Sequence, residues 1–340
     1  MGASASKVSK TRNGVYVTLD ALGTLYKFRE PVSTQYIKVA RRCGLRASIE
    51  ENDLDKAFRK SFKEVSAEFP NYGKDQLSSP RAWWKTVVND AFRQVVDESR
   101  IPDQLGDKMY DHFTSRAAYE LYPDVKPFLA NMRRLKQTWS HPDDPPILIG
   151  VISNSDPRVK NVLQSLGIKV GADEFSKPED TPFRSVWQTR YIPGMDSPWY
   201  NLYDSSNEID FLVTSYRVGR EKPHSDIFQY AQKCAEKVSP SRLEQQVEDQ
   251  SVSLKNARHR LELFMQTERA SQCEWIHIGD EYKKDYLGAK DAGFEAIHLV
   301  REGEGQEVVE GVTTVSDLGE AAAAIRILMA ANMEEKRVNA

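Results

Sequence analysis

Five short apolar runs, far apart in the chain, constrain the fold more than anything else: "VYVTLD" from Val15, "ILIGVISN" from Ile147, "IDFLVTSY" from Ile209, "WIHIGD" from Trp275 and "EAIHLV" from Glu295. Each is too short for a core helix and rich in β-branched residues. Most are apolar at consecutive positions, as strands covered on both faces are. Helical patterns separate the runs. Alternation of strand and helix with such strands predicts an α/β fold, a parallel sheet with helices on both faces. In such sheets, ligands bind at the carboxyl ends of the strands.

The 340 residues, 40% of them hydrophobic, suffice for a large core. A helical block follows the first run, from about Pro31 to Lys136. In it, "PVSTQYIKVARRCGL" carries Pro at a helix start and Gly44 at its end, and "DLDKAFRKSFKEV" places Leu54, Ala57, Phe58, Phe62 and Val65 at helical spacing. "FPNYG" reads as a turn. "DYLGAKDAGF" reads as a helix ending near Gly293, and the C-terminal "AAAAIRILMAANM" as an amphipathic surface helix. The expected organisation is a flexible tail at 1–14, a core of 15–28 and 125–330, and a helical unit at 29–124 between them. Polar stretches at about 171–207, loop-like, and 239–272, a largely solvated helix, read as insertions.

Composition excludes several classes. A formal net charge of -3 gives no footprint for nucleic acid. Three widely spaced cysteines form neither a disulfide framework nor a zinc site. No apolar run is long enough to span a bilayer. A cytoplasmic protein is expected. The opening "MGASASK", with Gly2 and Ser6, fits the N-myristoylation pattern, and Lys7, Lys10 and Arg12 would add attraction to an anionic membrane. One such chain gives only weak, reversible membrane association.

Polar residues collect where the runs end: Asp20, then Ser153-Asn154, then Gly279-Asp280, with Lys222-Pro223 in the loop after the third. Taken singly, each reads as a cap or a turn residue. Taken together, they suit one chemistry. Asp20 is a nucleophile able to form an acyl phosphate. Asp20 and Asp280 repel unless a cation lies between them, and Mg2+ favours one or two carboxylates with water and a substrate phosphate. Lys222 and the Ser153 hydroxyl suit the remaining phosphate oxygens. Asp285 can brace the metal shell or orient Lys222. His277 and His298, inside strand-like runs, read as satisfied core histidines.

In this order, "TLDALGTLY", "ILIGVISN", "GREKPHSDIF" and "IHIGDEYKKDYLGAKDAG" resemble the four motifs of the haloacid dehalogenase superfamily of hydrolases. "FPNYG", "RAWWKTVV" and "VISNSDPRV" resemble its subgroup of haloacid dehalogenase-like hydrolase domain-containing protein three. The resemblance implies a Rossmann-like parallel sheet flanked by helices, with a helical cap inserted between the first and second motifs. It implies Asp20 as nucleophile and Mg2+ ligand, the Leu22 backbone carbonyl and Asp280 as further ligands, and Asp285 behind them. Ser153 and Lys222 would hold the phosphoryl group. Thr24, which supports the loop, and Asn154 complete the substrate-binding set. The substrate implied is a small phosphorylated molecule.

One position departs from that pattern. Superfamily phosphatases usually read Asp-x-Asp, and the second aspartate is the acid and base; here Leu22 stands in its place. Three readings follow: a weak or specialised Mg2+-dependent hydrolase for good leaving groups or with an acid from the cap, a catalytically impaired binding or regulatory protein, or a 2-haloacid dehalogenase. Dehalogenases need no metal, so the acidic fourth motif argues against the last.

Overall fold

The computed structural model describes residues 15–138, 147–171, 206–248 and 273–338. The Gly2 acylation pattern and most of the two expected insertions lie outside them.

The sheet begins with β1 (Val15–Leu19). Two short strands, β2 (Tyr26–Phe28) and β3 (Tyr119–Leu121), pair antiparallel with each other. The other five, β4 (Ile147–Ser153), β5 (Phe211–Thr214), β6 (Glu274–Gly279), β7 (Glu295–Leu299) and β8 (Thr314–Val315), join β1 in one six-stranded sheet ordered β5-β4-β1-β6-β7-β8. Every pairing in it is parallel. Strand order reverses on either side of β1, so the ends of β4, β1 and β6 bound the crevice where parallel sheets bind ligands.

The apolar runs follow from burial on both faces. Val15, Val17 and Leu19 point into one core with Phe128 and Val162, while Tyr16 joins Leu148, Phe211 and Trp275 in the other. Around the sheet run α1 (Val32–Arg42), α2 (Glu51–Glu68), the tight turn α3 (Pro70–Gly73), α4 (Pro80–Arg93), α5 (Leu105–His112), α6 (Val125–Thr138) and α7 (Arg158–Ser165). They are followed by a single turn α8 (Ser215–Val218), α9 (Ser225–Glu248), another turn α10 (Gly288–Asp291) and α11 (Leu318–Val338). Helices α1, α2, α4 and α5 share an apolar core of their own, around Tyr36, Leu54, Val88, Phe92 and Met109. At the start of α4, Pro80 follows Ser79, whose hydroxyl accepts from the Ala82 amide at 3.3 Å. In α11, Leu318, Ala321, Ala322, Ile325 and Met329 face the core, the amphipathic pattern expected there. No helix of the described residues is long and apolar enough to cross a membrane.

Four expectations need correction. The helical block is interrupted by β3, whose partner β2 lies some ninety residues earlier; local periodicity cannot reveal such a pairing. The third run stops at Thr214, whose hydroxyl caps Arg217 at 3.3 Å and turns the chain into α8. Helix α9 runs to Glu248, into the segment read as an insertion. The helix expected after Asp280 opens as a π-helical turn, Tyr282–Leu287.

Candidate active site

Residues from four loops meet at the carboxyl end of the sheet. Asp20 follows β1, its amide still bonded to the Ile278 carbonyl of β6 at 2.9 Å. Lys222 arrives from the loop after α8 with its side chain fully buried. Its ammonium has three donors and three acceptors: Asp20 Oδ1 at 2.6 Å, Asp285 Oδ1 at 2.6 Å and the Ile152 carbonyl at 2.9 Å. Burial works against its charge, but the two carboxylates raise its pKa above the usual lysine range.

Asp285 is held from every side. Its Oδ1 also meets His277 Nε2 at 3.1 Å, and its Oδ2 accepts the Glu281 amide at 3.0 Å. The wide turn that starts at Tyr282 brings it back against β6. Burial opposes its ionisation, yet Lys222 and His277 hold its pKa well below the usual carboxylate range. The other nitrogen of His277 lies 2.9 Å from Thr18 Oγ1, so both ring nitrogens are partnered, as expected of a core histidine. One of those partners is a site residue, which the sequence did not indicate.

Asp280 ends the row. Its Oδ1 accepts from the Thr24 hydroxyl at 3.0 Å. Burial, then the charges of Asp20 and Asp285, push its pKa up to about 7; burial, partly offset by Lys222, pushes Asp20 up to about 6. Two glycines make the crowding possible. A Cβ on Gly23 (φ +90°) would lie 2.3 Å from an Asp280 oxygen, and one on Gly279 would lie 2.2 Å from Asp285 Cγ.

Carboxylate oxygens of Asp20, Asp280 and Asp285 all lie within 4.8 Å of one another. With Asp285 committed to Lys222, His277 and the Glu281 amide, Asp20 and Asp280 are left to face a cation. A hard divalent ion fits this pair: its charge would offset the burial, and at Asp280 the neighbouring carboxylates, that raise the two pKa values.

The other expected residues divide. Ser153 is buried at the end of β4 and borders a cavity. The Asn154 side chain is turned to the Lys222 backbone, accepting from its amide at 2.6 Å and donating to its carbonyl at 3.0 Å. It therefore positions Lys222. Thr24 likewise supports Asp280. Leu22 sits in the loop between Asp20 and Gly23, its side chain 41% exposed at the cavity mouth.

No family model matches the chain. Among curated proteins, it is 27% identical over 296 residues to the uncharacterized protein YMR130W of Saccharomyces cerevisiae, covering 87% of this chain and 75% of that one. It is 24% identical over 282 residues to haloacid dehalogenase-like hydrolase domain-containing protein 3 of Mus musculus, covering 83% and 80%. Among solved structures, the putative HAD-hydrolase YfnB of Bacillus subtilis, bound to magnesium, aligns with a TM-score of 0.50 at 10% identity, over 93% of this chain and 99% of that one. The fold is thus shared, and the mouse and Bacillus subtilis proteins carry the superfamily's name. The chain is similar to proteins of the haloacid dehalogenase superfamily.

Residues from outside the sheet also reach this end of it, and here sequence reasoning missed the contributing residues. Asn71 and Tyr72, in the turn read only as "FPNYG", both take left-handed backbone conformations (φ 49° and 59°). Asn71 Nδ2 donates to the Ser215 carbonyl at 2.8 Å, and the Tyr72 hydroxyl to the Asn154 carbonyl at 2.9 Å. Trp84 Nε1 donates to Asp156 Oδ2 at 2.7 Å, and Arg158 forks onto the same carboxylate at 2.8–3.1 Å. The sequence signal was the pair of charged residues flanking Pro157, just after the second motif.

Proposed function

We propose that this chain is a Mg2+-dependent phosphohydrolase acting on a small phosphorylated substrate through Asp20, with the helical unit as its cap. The observation that carries this reading is the Lys222 ammonium bridging Asp20 and Asp285 beside Asp280. Such an arrangement keeps a buried carboxylate ionised and aimed, beside a second carboxylate whose charge calls for a cation. The hydrolase names of several relatives support the general class.

In this mechanism an Asp20 oxygen attacks phosphorus, and the P–O bond to the leaving group breaks with its electron pair on that oxygen. Water then attacks the phosphorus of the aspartyl phosphate, losing a proton to solvent, and the bond from the Asp20 oxygen to phosphorus breaks to return the carboxylate; the leaving oxygen takes its proton from solvent. The sum is phosphate ester plus water giving alcohol plus inorganic phosphate. Lys222 holds Asp20 Oδ1 in place and offsets charge on the phosphoryl group. The Ser153 hydroxyl donates to a phosphoryl oxygen. Mg2+, held by Asp20, Asp280 and the Leu22 carbonyl, would neutralise the phosphoryl oxygens.

Leu22 can neither give nor take a proton, which costs roughly two to four orders of magnitude where acid–base help is needed. Good leaving groups escape the acid half of that cost; the attack of water on the aspartyl phosphate still proceeds without a base at this position.

The test is phosphate release from a panel of alkyl, aryl and acyl phosphates, with Mg2+ and with chelator, and with Asp20→Asn as control. Turnover requiring both Mg2+ and Asp20 is expected. Folded, Mg2+-binding protein that turns over nothing on the panel would leave an impaired binding protein as the answer.

A further inference from the structure

We propose that the ligand's organic group, the leaving group if the phosphohydrolase reading holds, is a planar aromatic ring system. This rests on that reading for the reaction, and on the cavity alone for the ligand. A cavity of about 310 Å3 opens beside Leu22 and Ser153, at the end of β4 next to Asp20. Its walls come from both the sheet side and the helical unit, and Tyr26, Tyr36, Phe58, Tyr72, Trp84 and Tyr119 are among them. A cavity of about 150 Å3 holds one benzene ring, so this one has room for two fused rings.

The polar groups narrow the choice. Arg158 sits on the wall with its guanidinium over two rings, 4.6 Å from the Trp84 centroid and 4.4 Å from that of Tyr110. Asp156 is buried against it and cancels its charge. The cavity therefore offers no unpaired cation to a second anionic group on the ligand. Nor does it present the dense set of amides and carboxylates that a sugar's hydroxyls need. It presents aromatic faces, which favour stacked or edge-on rings. Among the described residues, none hydrogen-bonds the hydroxyls of Tyr26, Tyr36 or Tyr119. Tyr26 and Tyr119 meet edge to face at 5.1 Å, and all three tyrosines line the same cavity as the Asp156–Arg158 pair. They can bind a hydroxyl or ring heteroatom on an otherwise apolar group.

Leu22 and this cavity then explain each other. When the P–O bond to an aromatic oxygen breaks, the electron pair stays on an aryloxide whose conjugate acid has a pKa near 10, as for tyrosine, against nearly 16 for water. Such an anion departs without a protonated carboxyl beside it, and solvent supplies its proton afterwards. At the cavity mouth an apolar Leu22 packs against the ring, where an aspartate would be desolvated.

The experiment is calorimetric binding of 1-naphthylphosphonate and of methylphosphonate to the full chain in Mg2+, run beside phosphate release from acetyl phosphate. Phosphonates are not hydrolysed, so the affinity ratio reads the cavity alone. We expect the naphthyl compound to bind at least tenfold more tightly, and Tyr36→Leu to reduce that ratio at least fivefold. Should that variant not fold, Phe58→Leu on another wall takes its place. Equal affinities, or no binding of the naphthyl compound, overturn the inference; acetyl phosphate turnover in the same protein leaves the phosphohydrolase reading standing. A naphthyl preference without turnover of any phosphate keeps the aromatic site and removes the hydrolase.

Discussion

Leu22 and Gly23 are neighbours with opposite constraints. Leu22 is exposed at the cavity mouth and free to change; Gly23 is wedged against Asp280 with no room for a methyl group. Leu22→Asp places a carboxyl where a leaving-group oxygen would lie. It is expected to raise turnover of an alkyl phosphate at least tenfold more than that of an aryl phosphate: as a base it helps the water attack common to both, but as an acid it helps only the alkoxide. Steady-state rates on the two substrates measure this, and equal gains on both would refute the assigned role. Gly23→Ala drives a Cβ into Asp280 from a left-handed backbone. Calorimetry is expected to show Mg2+ affinity reduced at least tenfold, with a stability loss of about 1 kcal/mol or more from the strained conformation. Unchanged Mg2+ binding would mean that Asp280 is not a ligand.

At the scale of elements, four segments are tied together behind the site by Arg301, at the end of β7. Its guanidinium donates to the Thr24 carbonyl at 2.7 Å and to Asp124 Oδ2 at 3.0 Å, and stacks 3.8 Å from the Tyr122 ring centroid. Asp124 also accepts the Leu318 amide at 2.8 Å, at the start of α11. Thr24 in turn holds Asp280, so the tie reaches from α11 to the Asp280 carboxylate. Arg301→Met leaves Asp124 without its cation in a mostly buried place and should cost roughly 3 kcal/mol. Urea unfolding is expected to show this, and Asp124→Asn in the same chain to restore part of it. None of this was legible in the sequence, where Arg301 and Asp124 look like ordinary loop charges 177 positions apart. What was legible lies at strand ends. Apolar runs that stop at Asp20, Ser153 and Asp280 mark the crevice, because a parallel sheet leaves only its carboxyl ends open. The β2–β3 pair, the short β8 and the aromatic wall escaped for one reason: each depends on partners that sequence periodicity does not connect.

For the whole molecule, two carboxylates facing one another make stability depend on pH and cation together. The folded, metal-free chain raises Asp20 to about 6 and Asp280 to about 7, from 3.8 for each unperturbed. Below about pH 4 both folded and unfolded chains are protonated there, and the pair contributes no difference. Between about pH 4 and 7 the folded chain keeps protons that the unfolded chain has lost, so stability falls as pH rises. Above about 7 the loss is complete. Asp285, held below its ordinary value, acts in the opposite sense, but only in more acidic solution than this window. A divalent cation between Asp20 and Asp280 competes with those protons and favours the ionised pair. Mg2+ should therefore raise the thermal midpoint more at pH 8 than at pH 5, since at pH 5 protons already relieve the repulsion. Calorimetric scans with Mg2+ and with chelator at the two pH values measure the difference, and Asp280→Asn should shrink the Mg2+ effect at pH 8 toward its value at pH 5. The sign is the decisive point: a larger Mg2+ effect at pH 5 would place the ion elsewhere on the molecule, because proton competition at this carboxylate pair can only weaken binding as the pH falls.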